Sequence, residues 1–168
     1  MHRTWTAADG TSVVIRPITP GDLSLTEKFD SELSPQSKFR RLLSDRRLSA
    51  AELRRFTDID PRREIALIAV VEGPGGAKQV GVARCVTDEA RESAEFAIVV
   101  SDRWQQRGLG AVLLSALIDA ARRQGLRRIE AITMADNRGM LNLAHKLGFS
   151  ARPDPGEPKL MELVLDLA

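Results

Sequence analysis

The chain has 168 residues, one cysteine, two histidines and no tyrosine. These counts exclude an internal disulfide, a C-x-x-C redox pair, a cysteine-rich zinc site and any phenol acting as acid, base or nucleophile. A net charge of +2 with only 4% aromatic residues argues against nucleic-acid binding, which needs a basic surface interleaved with stacking rings.

The predicted elements follow in chain order. Residues 12–18 (SVVIRPI) read as a first strand, and Pro20-Gly21-Asp22 opens a helix running to about Leu33. Ser34 and Pro35 start a second helix, because serine caps and proline fits a first helical turn. Ser49 with Glu52 forms a capping-box pattern before a third, short helix that ends at Asp60-Pro61. Residues 64–71 and 79–86 are apolar, β-branched runs around a turn at 73–78, hence a hairpin. Ser93 to Val100 is a further strand. Residues 109–124 have helical spacing, with Leu113, Leu114, Leu117 and Ile118 on one side and Gly125 as the stop. A strand at 127–134, a helix from Asn137 to Leu147 and a strand from Lys159 to Leu167 complete the pattern. It implies an α/β fold with a mixed sheet covered by helices, all in one domain spanning 1–168. The polar N-terminus and an apolar run limited to Ile65–Val71 lead us to expect a cytoplasmic protein with no membrane partner.

The most informative stretch is the loop between strand 93–100 and the helix after it. Gln105-Gln106-Arg107-Gly108-Leu109-Gly110 has the form Q-x-x-G-x-G and ends at Ala111 in the first helical turn. Glycines let the backbone approach a ligand closely, and a helix N-terminus offers unpaired N–H groups and a positive dipole end. Arg107 adds a charged donor. The chemistry suits a phosphate or pyrophosphate. A nucleotide P-loop would need Gly-Lys-Ser/Thr where Gly110-Ala111-Val112 stands. A dinucleotide fingerprint would need a third glycine at Leu113 and a strand leading directly into the first.

The same loop resembles the pyrophosphate loop of the GNAT superfamily of acetyl-CoA-dependent N-acetyltransferases. Asn137-Arg138-Gly139-Met140 followed by LNLAHKLGF resembles that family's second hallmark, N-x-x-M-x-x-L-A-x-x-x-G-F. The segments 13–22, 33–43, 48–70 and 94–100 resemble the acetyltransferase domain of bacterial Pat-type protein lysine acetyltransferases. In those proteins the domain is often fused to a sensor or synthetase-like module. No such module lies within these residues, so sensor-coupled regulation is not expected from them. The resemblance implies acetyl-CoA as donor and no metal. Its acceptor would be a primary amine: a protein lysine, as on an acyl-CoA synthetase, or a small molecule. A non-catalytic acyl-CoA-binding module is the reading from a different class. Monomer and homodimer both remain open.

Glu95 is the catalytic candidate. It lies in a strand otherwise apolar on both faces, where a carboxylate costs free energy unless paired or used. Desolvation in such a place raises a carboxylate's pKa towards that of a useful base, and the resembling family uses a glutamate at the matching position. Glu92, Glu89 and Asp88 rank below it. The resemblance also implies that Ile98, Val99 and Val100 pair with the pantetheine arm, with a backbone N–H of Val99 or Val100 facing the developing oxyanion. Many relatives carry a tyrosine at the position of Ala144; the neighbouring His145 points about 100° away and reads as solvated. Asn137 reads equally as helix cap and pantetheine contact, Met140 as the edge of the core, and Cys85 as a buried small hydrophobe. Arg16, Arg84 and Arg103 are unranked candidates for shaping an acceptor site.

Overall fold

The strands are β1 (Arg3–Thr6), β2 (Ser12–Pro17), β3 (Glu64–Gly73), β4 (Gly76–Thr87), β5 (Ser93–Val100), β6 (Arg128–Met134), β7 (Ser150–Pro153) and β8 (Leu160–Asp166). The helices are α1 (Leu23–Glu32), α2 (Pro35–Leu42), α3 (Ala50–Thr57), α4 (Leu109–Arg123) and α5 (Arg138–Lys146). In this computed structural model, which describes residues 1–168, one sheet runs β1-β2-β3-β4-β5-β6-β8-β7. Every neighbouring pair is antiparallel except β5 and β6, which are parallel.

Local chemistry explains the helix ends. Ser34 accepts from the Ser37 N–H at 3.1 Å, with Pro35 in the first turn of α2. Ser49 and Glu52 cap each other at the start of α3, at 3.1 and 3.2 Å, so the capping box read from the sequence is real. Along α4, Leu113, Leu114 and Leu117 are completely buried against the sheet. Together with Ile129, Ala144, Phe149 and Leu163 they form the larger core, on the face covered by α4 and α5. A smaller core on the opposite face joins Phe29 and Leu33 to Ile68, Val82 and Val99. No helix is long and apolar enough to cross a membrane.

Two strands have no counterpart in the sequence reading. β1 and β7 are the outer strands of the sheet, and β7 is exposed throughout. An edge strand is held by backbone hydrogen bonds along one side and need not carry an alternating apolar pattern. The expected turn at 73–78 is also shorter: the ladder continues to Gly73 opposite Gly76.

Candidate active site

The site begins where the sheet comes apart. β5 and β6 pair only at Ser93, Ala94 and Glu95, opposite Arg128, Ile129 and Glu130. Beyond Glu95 the two strands diverge, because β6 stays paired with β8 to Met134 while β5 stays paired with β4 to Val100. The gap opens a cleft of about 1000 Å³. Residues Phe96 to Val100 therefore keep one free edge. The Ser93 carbonyl accepts from Asp88 N, and Ser101 N donates to Val80 O, both at 2.9 Å on the β4 side. Main-chain groups alternate along a strand, so Val99 also turns towards β4, while Phe96, Ile98 and Val100 face the gap. This corrects the expectation for Val99: its N–H belongs to the ladder and its side chain to the smaller core. Of the two residues expected to face the oxyanion, Val100 is the one whose N–H opens into the cleft.

At the end of β5 the chain curls through Gln106 (φ 59°) and Gly108 (φ 94°) before entering α4. None of the backbone N–H groups from Gln106 to Ala111 has an acceptor within the protein; the first helical bond is Val112 N to Gly108 O at 3.3 Å. A run of free N–H groups at a helix N-terminus is a ready anion site. Gly108 is fixed by its backbone, since side-chain-bearing residues rarely adopt that φ. A Cβ there would also lie 3.4 Å from the Trp5 ring. At Gly110 a Cβ would sit 3.4 Å from Leu143, so the bare backbone lets α4 start close to α5.

Of the residues expected at the ligand, Glu95, Ile98, Val99, Val100, Gln105, Gln106, Gly108, Gly110, Ala111, Asn137 and Met140 line the cleft. Two do not. Arg107 turns away to bond Asp9 at 2.6 Å and lies over the Trp104 ring, 4.0 Å from its centroid. The Leu109 side chain is buried in the core. Both can offer the ligand only their backbone N–H groups. Gln105 donates to Val100 O at 3.0 Å and to Ser37 Oγ at 3.2 Å, tying β5 to α2. Asn137 accepts from Met140 N at 3.2 Å and donates to Thr133 Oγ1 at 3.3 Å, which is the capping role.

Glu95 sits where the strands part, in register with Val86 and Glu130. It is exposed to the cleft, so its apolar neighbours along the strand do not bury it. Those neighbours face the core, and Glu95 lies on the α1–α3 side of the sheet, at a stretch those helices leave uncovered. Val86 and Ile132, beside it on this face, are 44% and 43% exposed.

The other candidates separate cleanly. Asp88 holds its own turn, accepting from Glu92 N and Ser93 Oγ, both at 2.9 Å, and the Ser93 hydroxyl helps keep its carboxyl below the usual range. Arg16 binds Asp22 through both terminal guanidinium nitrogens, at 2.7 and 2.8 Å, and Arg103 does not reach the cleft. Arg84 does. Burial pushes the Cys85 thiol up to about 12, which keeps it inert. Ala144 is buried and His145 exposed. The sequence reading missed Trp5 and Asp9, which support the loop from β1 and the turn after it. A lone Trp in a short polar strand carries no signal of that role.

Comparisons with known proteins agree with this fold. Residues 30–149 match the family model described as acetyltransferase (GNAT) family. The chain is 35% identical over 150 residues to an acetyltransferase of Pseudomonas aeruginosa, covering 89% of this chain and 81% of that protein. It is 32% identical over 135 residues to the acetyltransferase Pat of Mycolicibacterium smegmatis, covering 80% of this chain but 40% of that protein. Among solved structures it matches the GNAT domain of S. lividans PAT with a TM-score of 0.86, at 28% identity, over 98% of this chain and 96% of that one. The chain belongs to the GNAT family and is an acetyl-CoA-dependent acetyltransferase.

Proposed function

We propose that the chain transfers the acetyl group to a lysine amine of a protein, with Glu95 as general base. The observation that carries this reading is the setting of Glu95: a carboxylate at the mouth of the splay, on an uncovered sheet face flanked by exposed Val86 and Ile132. A lysine on a folded partner can reach such an open face without entering a closed pocket. Acetyl-CoA supplies the activated thioester carbonyl. The free N–H groups from Gln106 to Ala111 suit its pyrophosphate, and the free edge of β5 suits its pantetheine amides.

The chain's own part is proton and charge management. A lysine amine has a pKa near 10.4, so most of it is protonated at neutral pH and cannot attack. Glu95 takes a proton from it, directly or through one water. The Val100 N–H donates to the negative charge developing on the thioester oxygen. With Ala144 in place of a phenol, the thiolate leaves unassisted or is protonated by water; a thiol pKa near 8.5 makes that tolerable.

The test is an acceptor screen with acetyl-CoA, following CoA release and locating the acetyl group by mass spectrometry. Folded acyl-CoA synthetases are compared with free lysine, polyamines and amino acids. Turnover confined to protein lysines supports the reading. Turnover confined to free small amines overturns it.

A further inference from the structure

The cleft holds a polar cluster that the proton-transfer reading leaves idle. Arg84 rises from the middle of β4, opposite Ala97, on the same sheet face as Glu95. Its guanidinium lies 4.3 Å from the centroid of the Phe56 ring and donates to the Phe56 carbonyl at 3.1 Å. No carboxylate pairs with it, and its Nε is buried with no acceptor. The nearby acids are committed elsewhere: Glu64 pairs with Arg55 and Asp30 with Arg41. The Arg41 side chain is only 7% exposed and lies 5.6 Å from the same ring. Arg40, next to it on α2, also lines the cleft and has no ion pair.

A buried guanidinium is costly when its nearest carboxylate, here Glu64, is already paired to another arginine. Burial, with Arg41 close by, pulls Arg84 down to about 10, so it is still a cation at neutral pH. Glu95 stands one alternate position along the sheet face, which disfavours a doubly charged anion. A single carboxylate can accept from the part of the guanidinium that lines the cleft, while the Nε stays buried behind it.

We propose that Arg84, with Arg40 and Arg41, forms a carboxylate-binding subsite beside the reaction centre at Glu95. The carboxylate is part of a substrate: an acidic side chain flanking the acceptor lysine, or the far end of a dicarboxylic acyl group on the donor. The acceptor arm rests on the lysine reading above; the donor arm does not.

Two measurements separate the sources. In the first, kcat/KM is compared for blocked peptides with the lysine between two glutamates or between two glutamines. In the second, calorimetry compares Kd for succinyl-CoA and acetyl-CoA. We expect a preference of at least tenfold for the carboxylate-bearing member in one arm, and its collapse to within twofold in Arg84→Met. Arg84→Lys, which keeps the charge but not the fork, should retain part of it. Should Arg84→Met fail to fold, the wild-type comparison and Arg40→Gln decide. No preference in either arm overturns the subsite, as does an Arg84→Met loss that is equal for both members of each pair. If no lysine peptide is acetylated while acetyl-CoA binds normally, the lysine reading falls and the donor arm alone decides the subsite.

Discussion

Replacing Glu95 by Gln removes one carboxylate and almost nothing else. Glu95 is exposed, with no hydrogen bond or ion pair inside the protein. Its register neighbour Glu130 is also acidic, so losing the charge relieves repulsion. Folding stability should change by less than about 0.5 kcal/mol, roughly 1–2 °C in Tm for a chain of this size, and acetyl-CoA affinity should hold. Turnover should not. At pH 7.4 about one lysine amine in a thousand is neutral, a deficit of roughly 4 kcal/mol. A positioned base typically contributes about 10²–10⁴-fold, which is the loss expected in kcat. The pH dependence gives the sharper readout. Between pH 7.4 and 9.4 the neutral fraction of lysine rises about 100-fold. The Glu95→Gln rate should climb with it and the wild-type rate much less, so the gap narrows as pH rises. Steady-state thiol release measured across that range, beside a thermal melt, tests this. A variant within threefold of wild type at pH 7.4, or a deficit that stays constant with pH, would refute the assignment of Glu95 as base.

Three further outcomes follow from the geometry. Gly108→Ala forces a side chain into a left-handed backbone and onto Trp5; it should cost about 1–2 kcal/mol of stability and weaken acetyl-CoA binding, read by melting and calorimetry respectively. Asp22→Asn breaks the paired bonds to Arg16, whose guanidinium holds the Asp22 carboxyl below its ordinary value. That pair stabilises the fold above about pH 4 and is lost as pH falls through the lowered folded-state value, because the folded carboxylate then has to take up a proton. The variant should accordingly lose stability at pH 7, by about 2–4 kcal/mol, and show a shallower acid dependence; an unchanged dependence would rule out this role. Leu117→Ala, at a fully buried core position on α4, should cost about 2–5 kcal/mol in denaturant unfolding, and a cost below 1 kcal/mol would contradict the packing.

Most of the fold was legible in the sequence because its information is local. Capping residues such as Ser34 and Ser49 fix helix starts, the apolar face of Leu113–Ile118 fixes which side of α4 packs inwards, and the unbroken apolar run Ile65–Val71 marks a strand buried on both faces. The loop from Gln105 to Ala111 was legible for the same reason: glycine spacing before a helix is a local pattern with a direct chemical meaning. The edge strands β1 and β7 were not, since backbone pairing alone holds them. The surroundings of Glu95 were not either. A strand that reads as apolar on both faces becomes two different environments once helices cover one face completely and the other only in part.

What the sequence by itself determined was the element order, the anion-binding loop and the identity of the one acidic side chain within β5. The tertiary structure decided which of these groups are free to act. It turns Arg107 away to Asp9 and Trp104, assigns Val99 to the ladder and Val100 to the gap, leaves Glu95 in the open, and gathers Arg40, Arg41 and Arg84 into one wall of the cleft. The physical reason is that availability depends on what the neighbouring strands and helices have already paired or buried, and those partners lie far away in the chain.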